Sequence, residues 1–396
     1  MRKQLLPTAS AFALLGAAVV IALPSQAHAA DCKSLPNAVI VAGSSAVKPL
    51  VAAVAANLAS LATPITVVYK SEGSCVGVQA VTGTDPTESG TGITWTAAGV
   101  EQAGFCNFAL ANDFADVGLS DVYATSCGIT VPDGVKDFIG PIQTMTFVVP
   151  TDSSQTSISA EAAYLVMGLG TSGAVSPWTD QTQVQIRSAS SGTQQMISAA
   201  IGVPAAKWLG VSNSSGGAVV TNLASAATAG NSEKAIGILS TDVADKNRTA
   251  LKILAYQHYD QTCGYWPDST ATSYDKQSVR NGHYMIWGPL HMLAKVTNGA
   301  PANANVKSFL DLLSGSPTND IIDLEATSGV VPQCAMRVTR TSEVGPLASY
   351  MPEKSCECRF VAKATGAAPA SCKSCSANSD CPSSAPACNY GYCEVK

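Results

Sequence analysis

Between residues 38 and 350 the chain alternates short runs of β-branched and aliphatic residues with alanine-rich stretches of helical periodicity. Val39-Ile40-Val41 predicts a strand and Val47 to Leu61 a helix, with Pro49 tolerable in its first turn, where no intrahelical N–H bond is lost. Ile65 to Tyr69 predicts the next strand and Val76 to Val81 the start of a helix. Phe114 to Leu119 and Met145 to Val149 predict two more strands; Ala160 to Met167 reads as a helix, Val184 to Arg187 as a strand, Thr193 to Ala200 as a helix and Ala235 to Leu239 as a strand. Strands that alternate with helices imply α/β architecture with largely parallel sheets, gathered here into two sheet-centred lobes.

Three segments depart from this rhythm. Residues 82 to 113, rich in Gly and Thr and carrying Trp95, Phe105 and Cys106, are too long for a simple loop and are expected to form either a flap beside a site or a surface insertion. Residues 361 to 371 read as a small-residue linker, and residues 372 to 396 pack five cysteines into 25 residues, which implies a disulfide-stapled tail because so short a segment cannot bury a core. At the other end, Arg2 and Lys3 precede the uncharged apolar stretch Leu5 to Leu23 and the A-x-A sequence Ala27-His28-Ala29, the pattern of a signal peptide over residues 1 to 29 cleaved before Ala30. An uncleaved anchor, or a lipid on Cys32, is the alternative; Asp31 is a poor residue ahead of a lipidated cysteine. The expected body is then residues 30 to 140 as the first part of lobe I, 141 to 253 as lobe II and 254 to 360 as the second part of lobe I, with crossings near Ile139 to Thr146 and Ile253 to Tyr256.

Composition narrows the chemistry. Of 396 residues 46% are hydrophobic and only 13% charged, with a net charge of −5, so a packed core is assured and no basic surface offers itself to nucleic acid. Without Arg2 and Lys3 the remainder holds 21 basic against 28 acidic residues, a net −7. Thirteen cysteines, an odd number, suit an exported, disulfide-forming periplasmic or secreted protein and leave at least one without an intrachain partner. Cys75, Cys106 and Cys127 bracket the turns at Gly73 and Asp121, and a pair among them is expected to fasten the insertion to its lobe. The C-x2-C spacing of Cys372 and Cys375 allows a zinc ribbon, but one such pair in an exported chain favours disulfides and no metal.

The candidate chemistry lies in the turns that follow the strands. Gly43-Ser44-Ser45-Ala46 and Gly73-Ser74-Cys75 each lead into a predicted helix, Gly118-Leu119-Ser120-Asp121 ends the third strand, and Arg187-Ser188-Ala189-Ser190-Ser191-Gly192-Thr193 opens a helix in the second lobe. A helix start presents unpaired N–H groups, Gly and Ser admit close approach, and hydroxyls add donors, which suits an anion. Taken singly, each serine could merely cap its helix. Taken together, the four turns fall at the carboxyl ends of strands, where open α/β sheets bind ligands. Arg187 supplies a planar fork suited to a tetrahedral oxyanion. Asp121 discriminates among anions: a carboxylate repels one unless the anion brings a proton to donate, as phosphate does at neutral pH and sulfate does not.

These residues resemble the periplasmic phosphate-binding proteins of ABC transporters, with the type II periplasmic-binding fold, over about Val39 to Val331. Ala42 to Val47 and Gly73 to Val78 are similar to the family's first two anion loops, Asp116-Val117-Gly118-Leu119-Ser120-Asp121 to its Asp-Phe-Gly-x-Ser-Asp, and Arg187 to Thr193 to its Arg-x3-Ser-Gly-Thr. Trp178-x-Asp180, Ala235 to Ile238 and Tyr284 to Pro289 add weaker matches. The resemblance implies phosphate ligands Ser44, Ser45, the Ala46 backbone, Ser74, Asp121, Arg187, Ser191, Gly192 and Thr193, hinge closure around the anion, and a monomer that delivers it to a permease. The chain departs from the family at Ala46, where a hydroxyl residue is usual, at Cys75 and in the insertion. The tail spacing Cys375-x5-Cys381-x6-Cys388-x4-Cys393 resembles cysteine-rich ends of secreted myxobacterial proteins.

Catalysis lacks a motif. No G-x-S-x-G, H-E-x-x-H or Walker loop occurs, the spacing of His283 and His291 matches no metal site, and no histidine lies near Cys75, so neither an enzyme nor a cofactor is expected. A phosphatase using Ser74 or Ser191 would need a base brought in by folding. The rival readings are a binder of another oxyanion or small acidic solute, and an envelope or surface interaction protein that keeps the binding fold without transport.

Overall fold

The computed structural model describes residues 30–83, 90–108, 115–315 and 320–395. The expected signal peptide, with its cleavage site, lies outside the described residues, as do Asp113 and Phe114. Among the described residues no helix is long and apolar enough to cross a membrane.

The strand Ala38–Gly43 shows how the apolar runs become a sheet. Val39 and Val41 face one core, with Leu50, Val54 and Leu58 of the helix Lys48–Ala59, while Ile40 and Ala42 face another, with Val78 and Val81 of the helix Ser74–Thr82. Burial on both faces explains why this strand is uniformly apolar rather than alternating. It pairs in parallel with Thr66–Ser71 on one side and Val117–Ser120 on the other. In the second lobe Val184–Arg187 pairs in parallel with both Ile236–Ser240 and Val211–Asn213. The third strand therefore begins at Val117 rather than at residue 114, and the helix expected from Ala160 continues past Tyr164 as a π-turn over Leu165–Leu169.

One 16-residue strand, Val135–Pro150, belongs to both lobes. Its first part pairs antiparallel with Trp287–Lys295, which in turn pairs with Val117–Ser120; its last part pairs with Ile236–Ser240 and Leu251–Ile253. The first crossing thus runs through Ile139 to Thr146. Residues Ala255–Gln257 pair with Ser157–Ser159, and the chain rejoins the first sheet in the strand Trp287–Lys295.

Of the two forms expected for the insertion, its described residues take that of a surface insertion. Gly90–Trp95 and Glu101–Phe108 form an antiparallel hairpin that extends the first sheet beyond Thr66–Ser71 through Tyr69 and Ile93, with Trp95 buried against the core. It is fastened by Cys32–Cys106, a partner from the chain's start rather than from the bracketing cysteines. That bond also occupies the Cys32 sulfur. Cys75–Cys127 instead joins the start of the helix Ser74–Thr82 to the segment after Asp121. Closing such a loop contributes about 2–4 kcal/mol.

The expected linker is helical as far as Thr365, within Glu357–Thr365, and its Phe360 and Val361 are buried. Cys358 of that helix bonds Cys372, so one tail cysteine ties the tail to the body while Cys375–Cys388 and Cys381–Cys393 staple it internally. The Glu394 carboxylate adds a dock, accepting from the Cys358 N–H at 2.8 Å and the Ser355 hydroxyl at 2.9 Å. Cys334–Cys356 completes six bonds and leaves the exposed Cys263 as the free thiol. Thiol titration under denaturing conditions without reductant should find one thiol per chain, and alkylation mapping should place it at Cys263. Three or more thiols would mean a different connectivity.

Candidate functional site

Asp121 stands at the end of the strand Val117–Ser120, 1% exposed, where three loops of the first lobe meet. The Ser44 hydroxyl lies 2.6 Å from both carboxylate oxygens, and the Ser74 hydroxyl donates to Oδ2 at 3.0 Å while accepting the Asp121 N–H at 3.1 Å. Ser44 Oγ also accepts the Ala46 N–H at 3.1 Å, so the Ala46 donor is engaged within its own loop. Tyr69 donates its hydroxyl to the Ser44 carbonyl and pins that loop from below. Asp116, the first carboxylate of the same segment, accepts the Ile40 N–H at 2.8 Å and locks the third strand to the first.

Arg187 reaches toward this cluster from the second lobe. Its Nε donates to the Asn213 carbonyl at 3.2 Å, and its Nη2 lies 3.2 Å from both the Ser214 carbonyl and Ser45 Oγ of the opposite lobe. Gln194 supports it, accepting the Arg187 N–H at 2.9 Å and donating to the Ala205 carbonyl at 2.8 Å. Ser191 and Thr193 are buried at the start of the helix Gly192–Ile201. Ser191 occupies the N-cap position without a side-chain capping bond, and the helix Ser74–Thr82 begins after Gly73, which has no side chain to cap with. Elsewhere Ser159, Ser215 and Asn303 cap their helices in the usual way. Capping therefore does not account for Ser74 or Ser191.

The lobes are closed on one another. Cys75 N–H donates to the Ser190 carbonyl at 3.2 Å, and a Cβ on Gly73 (φ +112°) would lie 2.9 Å from that same oxygen. A Cβ on Gly192 would lie 2.1 Å from Ser74 Oγ and 2.4 Å from Asp121 Oδ2, which shows how tightly the second lobe's helix start abuts the first lobe's carboxylate. Of the nine residues singled out from sequence, contacts join Ser44, Ser45, Ala46, Ser74, Asp121, Arg187 and Gly192 within the lobes or across them, and the buried Ser191 and Thr193 flank Gly192 in the chain.

Burial pushes the Asp121 carboxyl upward from its ordinary range, against the opposing pull of the Ser44 and Ser74 hydroxyls, Arg187 and His291. Burial likewise pushes the Arg187 guanidinium down, and Asp121 pulls it back up. His291 is fully buried; its Nδ1 lies 2.6 Å from Asp137 Oδ2 and its ring 4.1 Å from that of Tyr123. Tyr69, Gln194 and His291 carry no local sequence signal for this role, because each reaches the site through strand register or packing.

Comparison of this architecture with solved structures identifies its fold. The chain aligns over 75% of its length with 99% of a Clostridium perfringens structure described as a phosphate ABC transporter substrate-binding protein with bound phosphate, at 15% identity and a TM-score of 0.51. An ABC-type phosphate transport receptor of Vibrio cholerae aligns over 74% of this chain and 99% of its own at 16% identity, with a TM-score of 0.49. No family model matches the sequence, and no curated protein matches it. The chain has the two-lobed α/β periplasmic-binding-protein fold, with a disulfide-rich C-terminal segment.

Two outcomes follow from the junction. Gly192→Ala should fold normally by circular dichroism but hold the lobes apart, increasing the radius of gyration in small-angle scattering; an unchanged radius would mean the contact is not limiting. Asp121 has a folded-state pKa above its unfolded one, so its contribution to stability is complete below the unfolded value and declines as pH rises through the folded one. Asp121→Asn should accordingly raise the melting temperature in phosphate-free buffer at about pH 7, by roughly 2–4 °C per kcal/mol recovered. The gain should vanish near about pH 4.

Proposed function

We propose that this chain is an exported solute-binding protein that captures inorganic phosphate between its lobes and releases it to an ABC permease. The observation that carries the reading is the buried Asp121 carboxylate, set among hydroxyl and helix-start donors and faced by Arg187. A site made only of donors would take any oxyanion. One with a fixed acceptor at its centre favours an anion that still carries a proton.

The lobes would separate about the shared strand Val135–Pro150 and its neighbour Trp287–Lys295 to admit the anion, because closure sets Gly192 against Ser74 and Asp121. On reclosing, Ser44, Ser45, Ser74, Ser191 and Thr193 hydroxyls, the Ala46 and Gly192 N–H groups and the Arg187 guanidinium would surround the oxygens. Ser44 would turn part of its donation from Asp121 to the anion, and Arg187 would exchange Ser45 for it. Asp121 would accept the phosphate proton. Sulfate would place a lone pair against the carboxylate, at a cost on the order of 1–3 kcal/mol or more for a charged group. Capture and release of this kind need no catalytic group, and the solved structures of the same fold described above are binding proteins. A chain of net −7 after signal removal attracts no anion from afar, so selectivity rests with these local donors.

Titration calorimetry of the phosphate-stripped protein should show one saturable heat with phosphate and at least tenfold weaker binding of sulfate, the equivalent of about 1.4 kcal/mol. Asp121→Asn should narrow that ratio mainly by strengthening sulfate relative to phosphate. Absent phosphate heat, or equal affinity for the two anions, would overturn the reading.

A further inference from the structure

One buried cation outside the anion cleft, Arg340, lacks its full complement of partners. Arg340 is 4% exposed, its guanidinium stacked on the Trp287 ring at 3.7 Å. Its Nη1 donates to the Met285 carbonyl at 3.1 Å, but Nε and Nη2 have no hydrogen-bond partner. Those two nitrogens share one edge of the guanidinium, the edge that binds a carboxylate with two parallel hydrogen bonds. Glu343, the carboxylate nearest in electrostatic influence, accepts the Tyr123 N–H at 2.7 Å and bonds the Ser126 hydroxyl, and it forms no ion pair with Arg340. Burial accordingly pushes Arg340 down to about 10.

Arg340 lines a cavity of about 380 Å³. The walls are otherwise largely apolar: Ile139 and Ile142 from the shared strand, Trp287 and Pro289 from its neighbour, and Met336 and Val338 from the segment that follows. The indole N–H of Trp287 also lacks a partner, as does the hydroxyl of Thr144, which stands opposite Trp287 in the strand register. Unpartnered donors thus collect on one face of the two strands that join the lobes. A cavity of this size, apolar with a few convergent polar groups, has the character of a small-molecule site.

We propose that this cavity is a second binding site, specific for a small organic carboxylate with an apolar body, which seats against the aliphatic walls and is held by the Arg340 guanidinium, whose covered Nε–Nη2 edge turns toward the cavity to receive it. An inorganic oxyanion would satisfy the guanidinium but leave the apolar walls uncovered; a neutral apolar molecule would do the reverse. The site lies beside the two strands shared between the lobes, and its Tyr123 is two residues from Asp121 with its ring tilted against that of His291.

The test uses benzoate as probe and benzyl alcohol as its uncharged counterpart, by calorimetry on the full chain in phosphate-free buffer. Saturable binding of benzoate, at least tenfold tighter than benzyl alcohol, is expected. Arg340→Gln should lose that preference. Val338→Trp, which fills the cavity and keeps the guanidinium, should lose benzoate binding altogether, and this second variant serves if Arg340→Gln fails to fold. Arg187→Gln should bind benzoate as the parent chain does, which separates this site from the anion cleft and makes the outcome independent of whether phosphate is the cleft's ligand. No saturable benzoate binding, or binding that survives both cavity variants, would overturn the proposal, as would loss of binding in Arg187→Gln alone.

Discussion

Desolvation of the Asp121 carboxylate is the constraint around which the binding junction is organised. A buried charge must be compensated, and here the compensation comes from two loops, a neighbouring strand and the opposite lobe: Ser44, Ser74, the more distant His291, and Arg187. Each of those groups is itself held by a second interaction. Tyr69 holds the Ser44 loop, Cys75–Cys127 ties the Ser74 helix to the segment beyond Asp121, and Gln194 holds Arg187. A carboxylate that must stay buried thereby fixes the relative placement of the strand ends that carry it.

The same economy of charge appears at Arg340, with the opposite sign and a different outcome. Arg187 has acceptors for the nitrogens that matter to its placement, drawn from Asn213, Ser214 and Ser45, whereas Arg340 has one acceptor and an aromatic face. The first is a group positioned to exchange partners; the second is a group whose partners are incomplete. Arg340 lies against the two strands shared between the lobes, whereas Arg187 stands at a strand end where the lobes meet.

The disulfides divide the work of holding the periphery. Cys32–Cys106 fastens an edge hairpin to the start of the described chain, and Cys358–Cys372 fastens the tail to a helix whose Phe360 is part of the core. The tail is small and mostly exposed, so its own two bonds replace the apolar core it lacks, and the third makes it part of the body. Counting five cysteines as a self-contained module misses this, because a cysteine's partner depends on which surfaces meet rather than on spacing.

What the sequence by itself determined is local. The apolar runs at Val39 to Val41 and Val184 to Arg187, the helical spacing after Val47, the small-residue turns before helix starts, and the order Arg187 to Thr193 all follow from periodicity and turn chemistry within a few residues, and they were enough to read an α/β chain with an anion-suited set of turns. Tertiary structure alone decided the rest. The edge hairpin within residues 82 to 113, the Cys32–Cys106 pairing, the role of His291, the support from Tyr69 and Gln194, and the bare edge of Arg340 each depend on strand register or on contacts between segments far apart in the chain. Periodicity specifies which face of an element is buried. It does not specify which other element covers that face, and the chemistry of a buried charge depends on that neighbour.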